Sequence, residues 1–89
     1  MSDITWTVDV LVMPKEGVND PQGDAVRSGL QSLGFKTTWK VRVGNRITVE
    51  VTAADETAAL EIGNQMCQQL LANPVIEQYS ITAKPTGGE

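Results

Sequence analysis

Phe35-Lys-Thr-Thr-Trp-Lys-Val-Arg-Val-Gly-Asn-Arg-Ile-Thr-Val-Glu-Val-Thr52 is the stretch that decides the fold. Phe35, Trp39, Val41 and Val43 alternate with Lys36, Thr38, Lys40 and Arg42. After Gly44-Asn45, Ile47, Val49 and Val51 alternate with Arg46, Thr48, Glu50 and Thr52. Strand side chains point to opposite faces in turn, so each run reads as a half-buried strand. Two such runs separated by Gly-Asn predict a β-hairpin with a two-residue primed turn.

Upstream of the hairpin the pattern changes to a helical period. Asp20 is a good N-cap, and Pro21 suits the first helical position. Val26, Leu30 and Leu33 form one apolar stripe, with Ala25 and Gly29 beside it, and Gly34 is placed to end the helix. Before it, Thr5 to Met13 reads as a strand with Trp6, Val8, Val10 and Val12 on one face. Pro14 and Gly17 break that strand.

Downstream, Asp55 caps a second helix with a stripe of Ala59, Ile62, Met66 and Leu70. Gly63 there allows close approach, and Asn73-Pro74 stops the helix. The last strand is expected from Ile76 to Ala83, with Tyr79, Ile81 and Ala83 toward the core. The order β-α-β-β-α-β predicts an α+β, ferredoxin-like sandwich: a four-stranded antiparallel sheet with two helices on one face. Right-handed crossovers place the first strand in the middle, beside the third and fourth. Residues 1–84 read as one domain and 85–89 as a flexible polar tail.

Composition narrows the function. The chain has 89 residues and a formal charge of −4, with its basic residues scattered. A domain of that size buries only about 60–65% of its unfolded surface, so a shared interface would help it. An acidic surface repels a phosphate backbone, which argues against nucleic-acid binding. No basic stretch followed by an apolar run opens the chain, and the run Val10 to Met13 is too short for a membrane span. One cysteine, Cys67, excludes an internal disulfide and fits a reducing compartment, so a cytoplasmic location is expected.

Little in the chain supports chemistry. There is no histidine, which removes the commonest general base and metal ligand. Cys67 lies in mid-helix beside Met66 with no imidazole to activate it, so it reads as a buried apolar residue. The loop Pro14 to Asp20 lacks the Cys-x-x-Cys of a metallochaperone and the arginine of an acylphosphatase-like phosphate cradle. The outward face of the third strand, Arg46, Thr48, Glu50 and Thr52, lacks the aromatics of an RNA-recognition sheet. No catalytic, cofactor or metal residues are assigned.

Two turns are less easily explained. Asp20-Pro21-Gln22-Gly23 opens the first helix, where an anion site and a simple cap compete; Asp20 and Asp24 already suit that positive end. Gly23 inside the first turn costs roughly 1 kcal/mol against alanine, so it points to close approach by another backbone. Arg42 is either a solvated charge or a contact to a carboxylate or phosphate.

The same segments carry a resemblance. Lys15-Glu-Gly-Val-Asn-Asp-Pro-Gln-Gly-Asp-Ala-Val26, Leu33-Gly-Phe35, Val41-Arg-Val-Gly44 and Leu70-Leu-Ala-Asn-Pro-Val-Ile-Glu77 resemble the PurS family, in order and over nearly the whole chain. PurS is the small subunit of phosphoribosylformylglycinamidine synthase, which makes formylglycinamidine ribonucleotide from formylglycinamide ribonucleotide, glutamine and ATP in purine biosynthesis. The resemblance implies a non-catalytic homodimer, or higher even oligomer. It would join a glutaminase subunit (PurQ) to a synthetase subunit (PurL) and assist ammonia transfer. ATP and Mg would be used by the complex, with no cofactor on this chain.

Asp20, Pro21, Gln22, Gly23, Arg42, Gly44, Asn73 and Pro74 match the family motifs and are carried over as candidate interface or structural positions. Arg46 joins them: the family usually has lysine directly after the Val-Arg-Val-Gly glycine, and here Asn45-Arg46 shifts that charge by one place. The alternative is a free-standing, ACT-like small-molecule-sensing domain, which shares the topology.

Overall fold

The structure, a computed structural model, describes residues 3–86. Strand β1 (Ile4–Pro14) leads to helix α1 (Pro21–Ser32). Strand β2 (Asn45–Ala53), helix α2 (Glu56–Met66) with a π-helical turn at Cys67–Leu71, and strand β3 (Glu77–Pro85) follow. The sheet has the order β2-β1-β3, and β1 is antiparallel to both neighbours. β1 is therefore central, as the crossover rule requires. Val8 lies between Val49 and Ala83, and Val10 between Ile47 and Ile81.

Alternation along β1 builds the core. Val8, Val10 and Val12 are at most 1% exposed, and Trp6 is buried with its indole N–H donating to the Ala53 carbonyl. Each such valine contributes about 1.5–3 kcal/mol by leaving water. Ala59, Gly63 and Cys67 of α2 lie against them. A Cβ on Gly63 would stand 2.8 Å from Val8 Cγ1 and 3.3 Å from Ile81 Cγ2, so glycine sets the helix-to-sheet distance. Tyr79, Ile81 and Ala83 pack against the same core.

The expected stripe of α2 needs one correction. The Ala72 N–H donates to the Cys67 carbonyl, five residues back. That wider turn rotates the last residues, so Ala72 is buried and Leu70 is 83% exposed. The final strand starts at Glu77, one residue later than expected, and runs through Pro85. The Thr86 N–H donates to the Thr5 carbonyl, so residues 85 and 86 are held by the sheet. The rest of the expected tail, residues 87–89, lies outside the described residues.

The larger correction concerns residues 35–44. Among the described residues the sheet has three strands, not four, and the hairpin is not formed. A primed turn needs positive φ, but among the described residues only Gly17 and Gly34 have it. Gly44 passes straight beneath the Val12 carbonyl and Met13, where a Cβ would collide, and Asn45 already pairs with Val12 as β2 begins.

Helix α1 and the extended segment behind it form an arm. Gly34, at φ 107°, turns the chain, and the Gln31 side-chain amide donates to the Thr38 carbonyl at 2.8 Å. Helix α1 makes no extensive contact with the sheet or α2, and the arm meets β1 at its base, through Arg42 and Gly44. The expectation of two helices on one sheet face therefore holds for α2 alone. The Cα radius of gyration is 16.9 Å, against about 12 Å for a compact chain of this length.

Candidate functional site

The site begins with Asp20, the residue that joins the β1–α1 loop to the arm. Its Oδ1 accepts the Gly23 N–H at 2.9 Å, which is the expected N-cap, and Pro21 fills the first helical turn. Its Oδ2 accepts the Val43 N–H, also at 2.9 Å. One carboxylate thus binds both ends of the arm, at the helix entry and at the exit of the extended segment. These two backbone bonds, Gly23 first, and the nearby Arg42 charge hold its pKa below the ordinary value. The anion that fills this helix N-terminus is Asp20 itself.

Gly23 is buried where the two ends meet. A Cβ there would collide with the Val41 carbonyl, so the close backbone approach expected of Gly23 is made within the chain. Gly44 plays the matching part on the other side, against β1.

Arg42 lies half-buried over the same junction. Its guanidinium donates to the Pro14 carbonyl and to Glu16 Oε2 at 2.9 Å. Lys40 reaches the same carboxylate at 3.2 Å. Lys40, foremost, and Arg42 draw the Glu16 pKa down. Of the two readings left open for Arg42, carboxylate contact is the one observed. Glu16 is the residue that sequence reasoning missed: its partners lie 24 and 26 residues away, and no local pattern ties them together.

Asn73 and Pro74 form a separate corner that reaches the junction from the other side. The Asn73 side chain accepts the Val75 N–H, its carbonyl accepts the N–H groups of Ile76 and Glu77, and its own N–H donates to Glu77 Oε1 at 2.7 Å. Lys15 N–H donates to the Ile76 carbonyl at 2.9 Å, which ties this corner to the end of β1. Gln22, Gly44 and Ile76 line one shallow depression between corner and arm. The structure therefore brings together Asp20, Pro21, Gln22, Gly23, Arg42 and Gly44, with Asn73-Pro74 alongside.

Arg46 does not join them. It stands on the open sheet face, where its Nε donates to Asp9 Oδ1 at 2.9 Å. That hydrogen bond raises the Arg46 pKa and lowers that of Asp9. Cys67 is fully buried, and desolvation pushes its thiol pKa up, which disfavours the thiolate. No group of three or more metal-ligating side chains occurs among the described residues, and no helix there is long and apolar enough to cross a membrane.

What the arm leaves open is surface. Leu33 and Trp39 are each 77% exposed, Phe35 and Val26 are also exposed, and the outer edge of β2 has no strand beside it. Exposed apolar side chains and unpaired strand edges are both features through which chains associate.

Comparison with known proteins agrees on one family. Residues 7–85 match the family described as PurS, phosphoribosylformylglycinamidine (FGAM) synthase. The chain is 46% identical over 74 residues to the phosphoribosylformylglycinamidine synthase subunit PurS of Archaeoglobus fulgidus, covering 82% of this chain and 91% of that one. It is also 46% identical over 70 residues to the Synechocystis subunit of the same name, covering 79% and 70%. A crystal structure of the Thermotoga maritima PurS subunit superimposes with a TM-score of 0.83 at 28% identity, over 94% of this chain and 97% of that one. A chain from the structure of PurLQS from the same organism gives 0.80 at 30% identity, over 90% and 98%. Coverage this high leaves too few residues aside to omit the arm. The chain belongs to the PurS family and is the PurS subunit of FGAM synthase, an enzyme of purine biosynthesis.

Proposed function

We propose that two copies of this chain exchange arms, and that the resulting dimer joins the glutaminase and synthetase subunits of the synthase and assists ammonia transfer between them. The observation that carries this reading is an arm helix with no extensive contact to its own sheet, together with a β2 edge that no strand covers. Residues 35–43 keep the alternation of a strand, yet no strand of their own chain accepts them. Laid on the β2 edge of a second copy, they complete the expected four-stranded antiparallel sheet. The same movement carries Val26 and Leu30 of α1, and Leu33 just after it, onto the other copy, giving each sheet its second helix. Exchange of an identical element is a low-cost route to a two-fold dimer.

Such a dimer presents two copies of the arm base and of the Asn73-Pro74 corner. Two partner subunits held on one rigid piece meet at an effective concentration of roughly millimolar. The relative that comes from a PurLQS structure supports partners of this kind. The chain supplies no reacting group and binds no cofactor of its own; ATP and Mg act elsewhere in the complex, in the cytoplasm. The missing histidine and the buried thiol support that division of labour. Its place in the synthase sets aside the sensing-domain alternative.

Two nitrogen donors test the reading. The synthase, reconstituted with and without this chain, is assayed with glutamine and with ammonium salt. Glutamine-dependent product formation should collapse without the chain, while ammonium-dependent formation largely survives. Equal loss with both donors would mean that the chain supports the large subunit's own site, and the coupling role would fall.

A further inference from the structure

The arm base raises a question that arm exchange alone does not answer: why the chain does not fold back on itself. The sequence Val43-Gly44-Asn45-Arg46 is a good hairpin turn, and Gly-Asn tolerates the positive φ that a primed turn requires. Closing that hairpin would pair residues 35–43 with their own β2. In a two-residue hairpin the residues flanking the turn, here Val43 and Arg46, exchange both backbone hydrogen bonds. The Val43 N–H is therefore the donor that would close it.

That N–H is already engaged by Asp20 Oδ2 at 2.9 Å. The same carboxylate caps α1 through Gly23, so its position is fixed by the helix it starts. Around it the backbone is wedged: Gly23 lies against the Val41 carbonyl, Gly44 beneath that of Val12, and Arg42 is held by Pro14 and Glu16. Val43 can serve the hairpin or the carboxylate, but not both. We infer that Asp20 is a conformational selector: by holding the Val43 N–H it excludes the closed hairpin, keeps the arm extended, and commits the chain to exchange with a second copy. The inference rests on the arm-exchange reading proposed above.

An Asp20→Asn variant separates this role from simple capping. Asparagine caps helices about as well as aspartate, so the bond to Gly23 is retained. Its second side-chain atom is then an amide nitrogen, which cannot accept the Val43 N–H. Asp24→Asn, one turn into the same helix, is the control for the lost charge, because Asp24 makes no side-chain bond to the extended segment. Dimer dissociation is measured by sedimentation equilibrium, and Val43 is followed by amide exchange and by its cross-strand contact to Arg46 in nuclear magnetic resonance spectra.

For Asp20→Asn the dimer dissociation constant should rise on the order of tenfold. Val43 exchange should accelerate, and a Val43–Arg46 contact should appear in the released monomer. Asp24→Asn should match the natural chain. An Asp20→Asn protein with unchanged dissociation and unchanged Val43 protection would overturn the selector while leaving arm exchange standing. A natural chain that is already a monomer with a Val43–Arg46 contact would overturn both.

Discussion

Body and arm are built from the same kinds of residue and end in opposite states. In the body, β1 alternates Trp6, Val8, Val10 and Val12 inward, and all four are buried beneath α2. In the arm, Trp39, Val41 and Val43 alternate just as regularly, yet Trp39 is 77% exposed and no strand lies beside them. The difference teaches that a period of two specifies a strand's faces but not the chain that supplies its neighbour. The body is held by apolar packing. The arm base is held by carboxylates: Asp20 on two backbone N–H groups and Glu16 on two basic side chains.

The largest effect expected from breaking this contrast lies in the body. Val10→Asp places a carboxylate at a position with no exposure, flanked by Ile47 and Ile81. An unpaired buried charge of this kind costs more than the few kcal/mol a small domain has to spare, so the chain should fail to fold. Far-UV circular dichroism of a native, cooperatively melting Val10→Asp protein would show that the core has been misplaced.

Trp39→Ala should act one level higher. Trp39 touches little in its own chain, so each copy's body should keep its fold. The dimer should weaken by about 3 kcal/mol, roughly a hundredfold in dissociation constant, if this ring is an anchor in the partner. Sedimentation equilibrium reads the loss. Unchanged dissociation would remove Trp39 from the interface and leave the arm's aromatic end unexplained.

Acid should separate the two regions most gently. The pKa values of Glu16 and Asp20 are lowered in the folded chain. Groups of this kind contribute stability that is present above their unfolded values and lost as pH falls through the lowered ones. The arm base should therefore hold from neutral pH down to about pH 4 and loosen below it. The core of β1 and α2 contains no buried charged side chain, so the body's dichroism should outlast the dimer as pH falls. Simultaneous loss of both would show that the arm is no less a part of the core than β3.

Much of the body was legible in sequence because its partners are local or strictly periodic. The caps at Asp20 and Asp55, the stop at Asn73-Pro74 and the core face of β1 each follow from a few neighbouring residues. Central placement of β1 follows from handedness. The hairpin did not form because its signal is real but local. Val43 has two possible acceptors, and one belongs to a residue 23 positions away. Leu70 was misplaced for a similar reason, since a single wide turn at Cys67 leaves the helical period without a sequence mark. Most residues of the family motifs, Asp20 to Gly23, Arg42 and Gly44, fall at the arm base. They gave no hint that Glu16 closes it, because ion pairs across 24 or 26 residues have no period to read.

Small-angle X-ray scattering with absolute mass calibration tests arm exchange most directly. Arm exchange requires a particle of twice the chain's 9.6 kDa at micromolar concentration, dissociating on dilution or when Asp20 is replaced by asparagine. A natural chain that scatters as a monomer with a radius of gyration of about 12 Å, the value for a closed domain of this length, would contradict it.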